Sequence, residues 1–161
     1  MVQGASQTNA LLFYAQRLMS IYGQESNTVT ELNRHALLTG GWLCLKESWV
    51  CWLNELAQYV NLERAGGYQL NDLPLLLKAD NPEGQIILSL MEDTESWLAQ
   101  MLLRIEMPAE RLQSSMPSQH SSQTLISIVS VDELSEDQLL IQVLTEFKAY
   151  IESVRVRQVE W

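Results

Sequence analysis

A long stretch of helical periodicity constrains this chain more than any other feature of its sequence. No proline occurs before Pro74, and between Leu32 and Val60 apolar residues recur at spacings of three and four. A straight helix over residues 28–63 would be about 54 Å long, whereas a compact chain of this size has a radius of gyration of about 15 Å. The helix must therefore bend, break or belong to an elongated bundle.

Two adjacent glycines, Gly40 and Gly41, allow two interpretations of this helix. They weaken helix propensity by about 2 kcal/mol relative to alanine and permit a kink. They also stand in a stripe of mostly small side chains that would let another helix approach closely. The stripe is Leu37, Gly41, Cys44, Ser48 and Cys51. Both interpretations stay open at this point.

Helices are also predicted on both sides of this stretch. The first covers residues 6–22, with Ser6 or Thr8 as N-cap and Gly23 as its end. Further start signals lie at Asp72 and at residues 81–83. Residues 86–107 favour one continuous helix, although a new helix capped by Asp93 or Thr94 also fits.

The last helix has the clearest start signal in the chain. Ser135 followed three residues later by Gln138 is a capping box, and apolar residues then keep helical spacing as far as Val154. Arg155 and Arg157 fall near its C-terminal end, where cations interact favourably with the helix dipole.

A linker and an extended segment precede this last helix. Residues 107–124 contain two prolines and five serines without apolar periodicity, which is typical of a linker. Residues 125–131, here called the docking segment, are uncharged and rich in β-branched residues, and we expect them to lie extended against the helices or to meet a partner. The sequence thus predicts a single all-α domain over residues 1–161, a bundle of four to six helices. The aliphatic residues of the docking segment are Leu125, Ile126, Ile128, Val129 and Val131.

The charge balance excludes some partners. Lys and Arg number 10 and Asp and Glu number 20, for a net charge of -10, which disfavours binding to nucleic acid phosphates or to an anionic membrane. Most of the negative charge lies after residue 70, so a basic partner would complement that half. The first cation is Arg17, and the apolar run 36–45 is too short to span a bilayer. We expect a cytoplasmic protein that binds neither nucleic acid nor membrane.

The chain offers no set of residues for metal binding or catalysis. Glu31 and His35 share a helix face, but a structural or exposed histidine explains this spacing better than a ligand. Cys44 and Cys51 lie two turns apart, at about 10.5 Å, too far for a disulfide and wrongly spaced for zinc. No phosphate-binding glycine loop or serine nucleophile motif occurs. We expect no metal, no cofactor and no catalytic residue.

Three tryptophans share the long helix. Trp42, Trp49 and Trp52 have spacings of seven and three, which usually indicates core residues. The same three rings, together with His35, could instead line a ligand pocket between helices.

Several segments together resemble a known group of proteins. They are Glu31, His35, residues 32–62 with Glu55, Leu56 and Ala57 near their end, residues 93–102, residues 124–126 and the tail ending in Glu160 and Trp161. With these segments the sequence is similar to small uncharacterised gammaproteobacterial proteins described as a PasA-like domain of unknown function. The resemblance covers most of the chain and implies a small bacterial helical protein, without supplying a catalytic residue.

Three hypotheses about function follow from these patterns. The leading hypothesis is a non-enzymatic helical module that binds a protein partner or a second copy of itself. The alternative is an enzyme or small-ligand-binding protein with a pocket lined by His35, Trp42, Trp49 and Trp52. A third, weaker hypothesis is a peripheral membrane protein or a toxin-neutralising protein whose acidic face opposes a basic partner.

Overall fold

Helices dominate the chain, as the apolar spacing predicts. A computed structural model describes residues 3–24, 31–62, 64–77, 82–105 and 134–159, and the all-α prediction is confirmed, with no strand in these ranges. The linker and the docking segment lie outside the described residues. The helices are α1 (Gln3–Gln24), α2 (Glu31–Tyr59), α3 (Leu73–Leu77), which follows a short 3-10 turn (Leu70–Asp72), α4 (Pro82–Glu92), α5 (Trp97–Ile105) and α6 (Glu136–Val159).

The long helix α2 runs through both glycines without a break. Its 29 residues span about 43 Å. A Cβ added at Gly41 would lie 2.6 Å from Leu140 Cδ2 and 3.4 Å from Met19 Cε. Gly41 therefore serves close helix packing, and of the two interpretations the structure shows this one.

Contacts between the helix ends fix their relative directions. Near one end of the bundle, Thr8 of α1 lies beside Glu55 of α2, while Asn9 contacts Arg155 of α6. Near the other end, the side chains of Met19 and Leu140 both approach Gly41. Helix α1 is consequently antiparallel to α2 and α6, and α2 and α6 run parallel to each other.

Aromatic rings join α2, α5 and α6 in the core. Trp97 stacks on Phe147 with ring centroids 5.1 Å apart, and Trp49 meets Phe147 edge-on at 5.5 Å. Trp52 makes an edge contact with Tyr150 at 5.9 Å. Such pairs favour offset or perpendicular geometry because of the ring quadrupole, so these contacts set the rotation of α6 against α2.

The continuous helix predicted over residues 86–107 is wrong. Helix α4 ends at Glu92, and α5 begins at Trp97. The cap is Ser96, whose hydroxyl accepts a hydrogen bond from Ala99 N at 3.1 Å and donates one to Leu90 O. The hydroxyl of Ser96 thus bonds both helices, and the break follows the alternative interpretation with Ser96 as the cap in place of Asp93 or Thr94.

The predicted start of the first helix is also wrong, whereas that of the last is confirmed. Helix α1 begins at Gln3, so Ser6 and Thr8 lie inside it, and Thr8 is buried against α2. At the start of α6, Ser135 N donates to Gln138 Oε1 at 3.1 Å, as the capping box predicts.

Candidate functional site

A groove of about 850 Å³ runs between the first and the last helix. Each helix contributes one stripe of side chains at spacings of three and four, which fall on a single face. The α1 wall consists of Asn9, Leu12, Phe13, Gln16, Met19 and Ser20. The α6 wall consists of Ile141, Leu144, Thr145, Lys148, Ala149, Glu152 and Arg155.

The groove is apolar in the middle and carries large exposed apolar side chains on both walls. Leu12, Met19 and Leu144 are buried and belong to the core. Phe13 is 62% exposed and Ile141 is 46% exposed. Large exposed apolar groups on both walls of an open groove are characteristic of binding surfaces.

Positive charge lies beside this apolar surface. Lys148 is exposed on the α6 wall, and Arg17 lines a smaller adjoining hollow with Phe13, Gln16 and Ser20. Within the described part of the chain, neither cation forms an ion pair. Two unpaired cations next to apolar walls would favour a ligand that is apolar with negative charge nearby.

A buried ion pair closes the far end of the groove. Glu55 of α2 is 0% exposed, and Arg155 grips it in a bidentate pair, with Nε to Oε1 at 2.7 Å and Nη2 to Oε2 at 2.8 Å. Tyr59 OH donates to Oε1 at 2.8 Å, and Thr8 Oγ1 donates to Oε2 at 3.4 Å. Arg155 Nη1 also donates to Asn9 Oδ1 at 2.8 Å.

The ion pair between Glu55 and Arg155 is suited to a structural role. The hydrogen bonds to Glu55 raise the pKa of Arg155, and burial, followed by the hydrogen bond to Glu55, raises the pKa of Tyr59. Both oxygens of Glu55 already accept two hydrogen bonds, so the carboxylate has little capacity left for a substrate. Glu55 and Arg155 therefore anchor the groove.

A second buried carboxylate fixes the same end of α6. Glu83 of α4 is buried, and Arg157 Nε and Nη2 approach its two oxygens at 3.0 Å each. Residues two apart on a helix point to opposite sides, so Arg155 and Arg157 tie α6 to α2 on one side and to α4 on the other. Both arginines were expected only to interact with the helix dipole.

The residues of the predicted tryptophan pocket lie in the core. Trp49 and Trp52 are fully buried, and Trp42 is nearly so. His35 is half-buried near the start of α2. None of the four lines the groove, and the two inner indoles contact rings of α2, α5 and α6. Their role in ligand binding stays a prediction.

The other candidate positions show no cluster of ligands. Cys44 and Cys51 are free thiols, as predicted, and burial raises the pKa of each. In the described ranges, no three His, Cys, Asp or Glu side chains come together as a metal ion would require. None of the helices formed by these residues combines the length and the apolar character needed to cross a bilayer.

Sequence reasoning missed the groove and its anchor. Phe13 and Ile141 lie in helices that the apolar spacing predicts, but that spacing does not show which apolar side chains stay exposed. A signal for Glu55 was present, because it occupies a core position between Trp52 and Tyr59 at spacings of three and four. A carboxylate in such a stripe indicates a buried partner.

Comparison with known proteins gives a family and no function. No curated protein and no solved structure matches the chain. The match to a family extends over residues 1–161, the full length of the sequence. The chain therefore belongs to the family of unknown function DUF6586.

Proposed function

We propose that this protein is a non-enzymatic helical module that binds another protein through the α1–α6 groove. One observation carries the proposal: Phe13 and Ile141 are exposed on facing walls of a groove of about 850 Å³. Exposed aromatic and aliphatic anchors around a concave surface are the usual centre of a protein interface.

The groove favours a partner segment that is apolar and flanked by acidic residues. Apolar side chains would cover Phe13 and Ile141, whereas carboxylates would pair with Lys148 or Arg17. This partner differs from the basic one that the overall charge suggests, because the groove holds unpaired cations within a protein of net charge -10. An extended strand or an amphipathic helix would both satisfy this chemistry.

The enzyme hypothesis has less support. The buried carboxylates Glu55 and Glu83 are held by bidentate arginines, and a general acid or base needs a proton-exchanging atom that can reach a substrate. The tryptophans of the alternative ligand pocket fill the core instead of lining the groove. We therefore rank protein binding above catalysis.

The setting of this function is part of the same proposal. The resemblance to gammaproteobacterial PasA-like proteins favours a bacterial protein, and we propose that it acts in the cytoplasm. The net charge of -10 supports the absence of nucleic acid partners.

Selection of peptides on the groove tests this proposal. Random peptides displayed on phage are selected on the immobilised protein, and we expect enrichment of apolar sequences with acidic flanks. Their affinity should fall at least about tenfold in Phe13→Asp or Ile141→Asp, equivalent to about 1.4 kcal/mol. Leu103→Asp is the matched control, because Leu103 is also exposed, at 53%, but lies on α5 outside the groove. Selected peptides that bind all three variants equally would contradict the proposal.

A further inference from the structure

Both walls of the α1–α6 groove are helices, so neither wall offers backbone hydrogen bonds to a partner. Residues inside α1 and α6 bond their N–H and C=O groups to the next turn of the same helix, and the described ranges contain no strand with a free edge. The hydroxyl of Thr145, on the α6 wall, also donates to Ile141 O of its own helix at 2.8 Å. A partner must therefore bind this groove mainly through its side chains.

The lack of backbone partners favours a helix over an extended strand as the occupant. A bound strand gains its affinity from main-chain hydrogen bonds to a sheet edge. In this groove the buried N–H and C=O groups of a strand would lose water without a replacement, which costs free energy for each group. A helix satisfies these groups internally, and its side chains can pack between those of two neighbouring helices.

Two contacts show which parts of α1 and α6 lie opposite each other across the groove. At one end Asn9 accepts a hydrogen bond from Arg155. At the other end the side chains of Met19 and Leu140 approach each other at Gly41. The relative level of any other pair of lining residues follows by interpolation between these two contacts.

The exposed apolar anchors have the spacing of a helical repeat. The interpolation places Phe13 level with Lys148 on the opposite wall, and Ile141 lies close to the end marked by Met19. Phe13 and Ile141 are consequently about 10 Å apart along the groove, which is two turns of an α-helix. Residues at positions i and i+7 of a bound helix would each meet one anchor.

Positive charge stands on both sides of this apolar line. Lys148 belongs to the α6 wall, and Arg17 lies one turn after Phe13 at the α1 side. Neither cation has an ion-pair partner among the described residues. Residues that flank the apolar stripe of a helix point towards the two helices beside it, as the e and g positions of a coiled coil do. Acidic residues on both flanks would therefore pair with Arg17 on one side and Lys148 on the other.

We propose that the partner segment is an amphipathic α-helix of about three turns, with acidic residues on both flanks of its apolar stripe. Its length follows from the lining of the groove, which runs about 17 Å along α1 from Asn9 to Ser20. The inference rests on the proposed function, because it describes the partner of the same groove.

Two synthetic peptides of identical composition test the helix against the strand. Each has about 14 residues, with leucine as the apolar and glutamate as the acidic residue; leucines recur every three or four residues in the first and every two in the second. Calorimetric titration of the full-length chain should show at least about tenfold tighter binding of the first. Circular dichroism should show helix gained on mixing, because so short a helix is marginal when free. Equal or tighter binding of the alternating peptide, or binding without a gain of helix, would overturn the inference.

Reversal of the two cations tests the acidic flanks. At low ionic strength, Arg17→Glu/Lys148→Glu should bind the first peptide at least about tenfold more weakly than the parent chain, and should bind its lysine-flanked version more tightly than the parent does. Lys46→Glu is the matched control, because Lys46 lies on α2 outside the groove. Circular dichroism verifies that each variant is folded. An equal response of the control and the double variant would overturn the charge matching.

Further outcomes separate this inference from the proposed function. If phage-selected peptides bind through Phe13 and Ile141 but are extended when bound, as NMR chemical shifts would show, the proposed function stands and the helical partner is wrong. If the helical peptide binds Phe13→Asp and Ile141→Asp as tightly as the parent chain, the groove is not its site and both proposals fail. A parent chain that is dimeric by light scattering, and monomeric as Phe13→Asp, would place a second copy in the groove and overturn the acidic helix as its partner.

Discussion

At the scale of single residues, the two charges of the main ion pair are buried to different extents. Glu55 is fully buried, whereas Arg155 keeps 23% of its side chain exposed. Removing the arginine leaves a carboxylate in the core with only Tyr59 and Thr8 to solvate it. Removing the carboxylate leaves a guanidinium that can still reach water. The two single substitutions should therefore have unequal effects on stability.

We expect Arg155→Met to lower the free energy of unfolding by about 3–5 kcal/mol. Glu55→Gln should lower it by about 1–3 kcal/mol, and a Glu55→Met/Arg155→Met variant by less than Arg155→Met alone. Urea denaturation measures all three. The control is Glu95→Gln at an exposed carboxylate, which should stay within about 0.5 kcal/mol of the parent. Equal loss in Arg155→Met and the control would contradict the buried pair.

A buried phenol predicts sensitivity to alkali. Tyr150 is buried, and its hydroxyl has no hydrogen-bond partner among the described residues. Burial, followed by the nearby carboxylate of Glu83, raises the pKa of Tyr150. The folded state therefore favours the neutral phenol. The stability that the neutral Tyr150 contributes is fully present below the unfolded pKa of about 10. It is lost at about 1.4 kcal/mol per pH unit as the pH rises above that value.

Tyr150→Phe should match or slightly exceed the stability of the parent at neutral pH, because it removes an unpaired buried hydroxyl. Above about pH 10 the variant should lose less stability than the parent. Tyr14→Phe, at a tyrosine that is 56% exposed, serves as the control. Thermal melting across this pH range distinguishes them, and parallel pH profiles for parent and Tyr150→Phe would speak against the buried phenol.

At the scale of helices, the sequence patterns predicted those features of the fold that depend on interactions between residues close in sequence. Apolar spacing predicted α1, α2 and α6, and the capping box predicted where α6 begins. The break between α4 and α5 was only the alternative interpretation, with Asp93 or Thr94 as its cap, because the bond of Ser96 to Leu90 is a contact that no cap motif encodes. The groove was missed because it depends on which faces α1 and α6 turn towards each other. The Glu55–Arg155 pair joins residues 100 positions apart, beyond any local pattern.

The glycine pair of α2 gives a test of helix packing. Gly41→Ala would push a methyl group against the fully buried Leu140, so we expect a net loss of about 1–2 kcal/mol after the gain in helix propensity. At Gly40 the nearest atom is Leu18 Cδ1 at 3.1 Å, and Leu18 is only half-buried and can move. Gly40→Ala should therefore be neutral or stabilising by up to about 1 kcal/mol. Chemical denaturation measures the stability of both variants. A Gly41→Ala variant more stable than Gly40→Ala would contradict the close packing at Gly41.

At the scale of the whole molecule, the described helices share one core. Its buried residues come from every helix from α1 to α6, and Arg104 and Glu136 bring the end of α5 beside the start of α6. A short linker would therefore be long enough to join these two helices.

Replacing residues 108–132 by a short glycine-serine linker should leave a cooperatively folding protein. With a six-residue linker the connection falls from 30 to 11 residues, which reduces the entropic cost of closing the loop by about 0.9 kcal/mol. The helical signal in circular dichroism should fall by no more than the deleted residues account for. A variant that no longer melts cooperatively would show that the bundle depends on the connection.

The distance along the chain between the paired charges has a consequence for biosynthesis. Arg155 is synthesised 100 residues after Glu55, and Arg157 is likewise synthesised after its partner Glu83. At about 5–20 residues per second, translation leaves Glu55 without its arginine for about 5–20 s. During that interval the nascent chain exposes the aromatic surface that α6 later covers. The core of the first five helices therefore cannot close until the last helix has been synthesised.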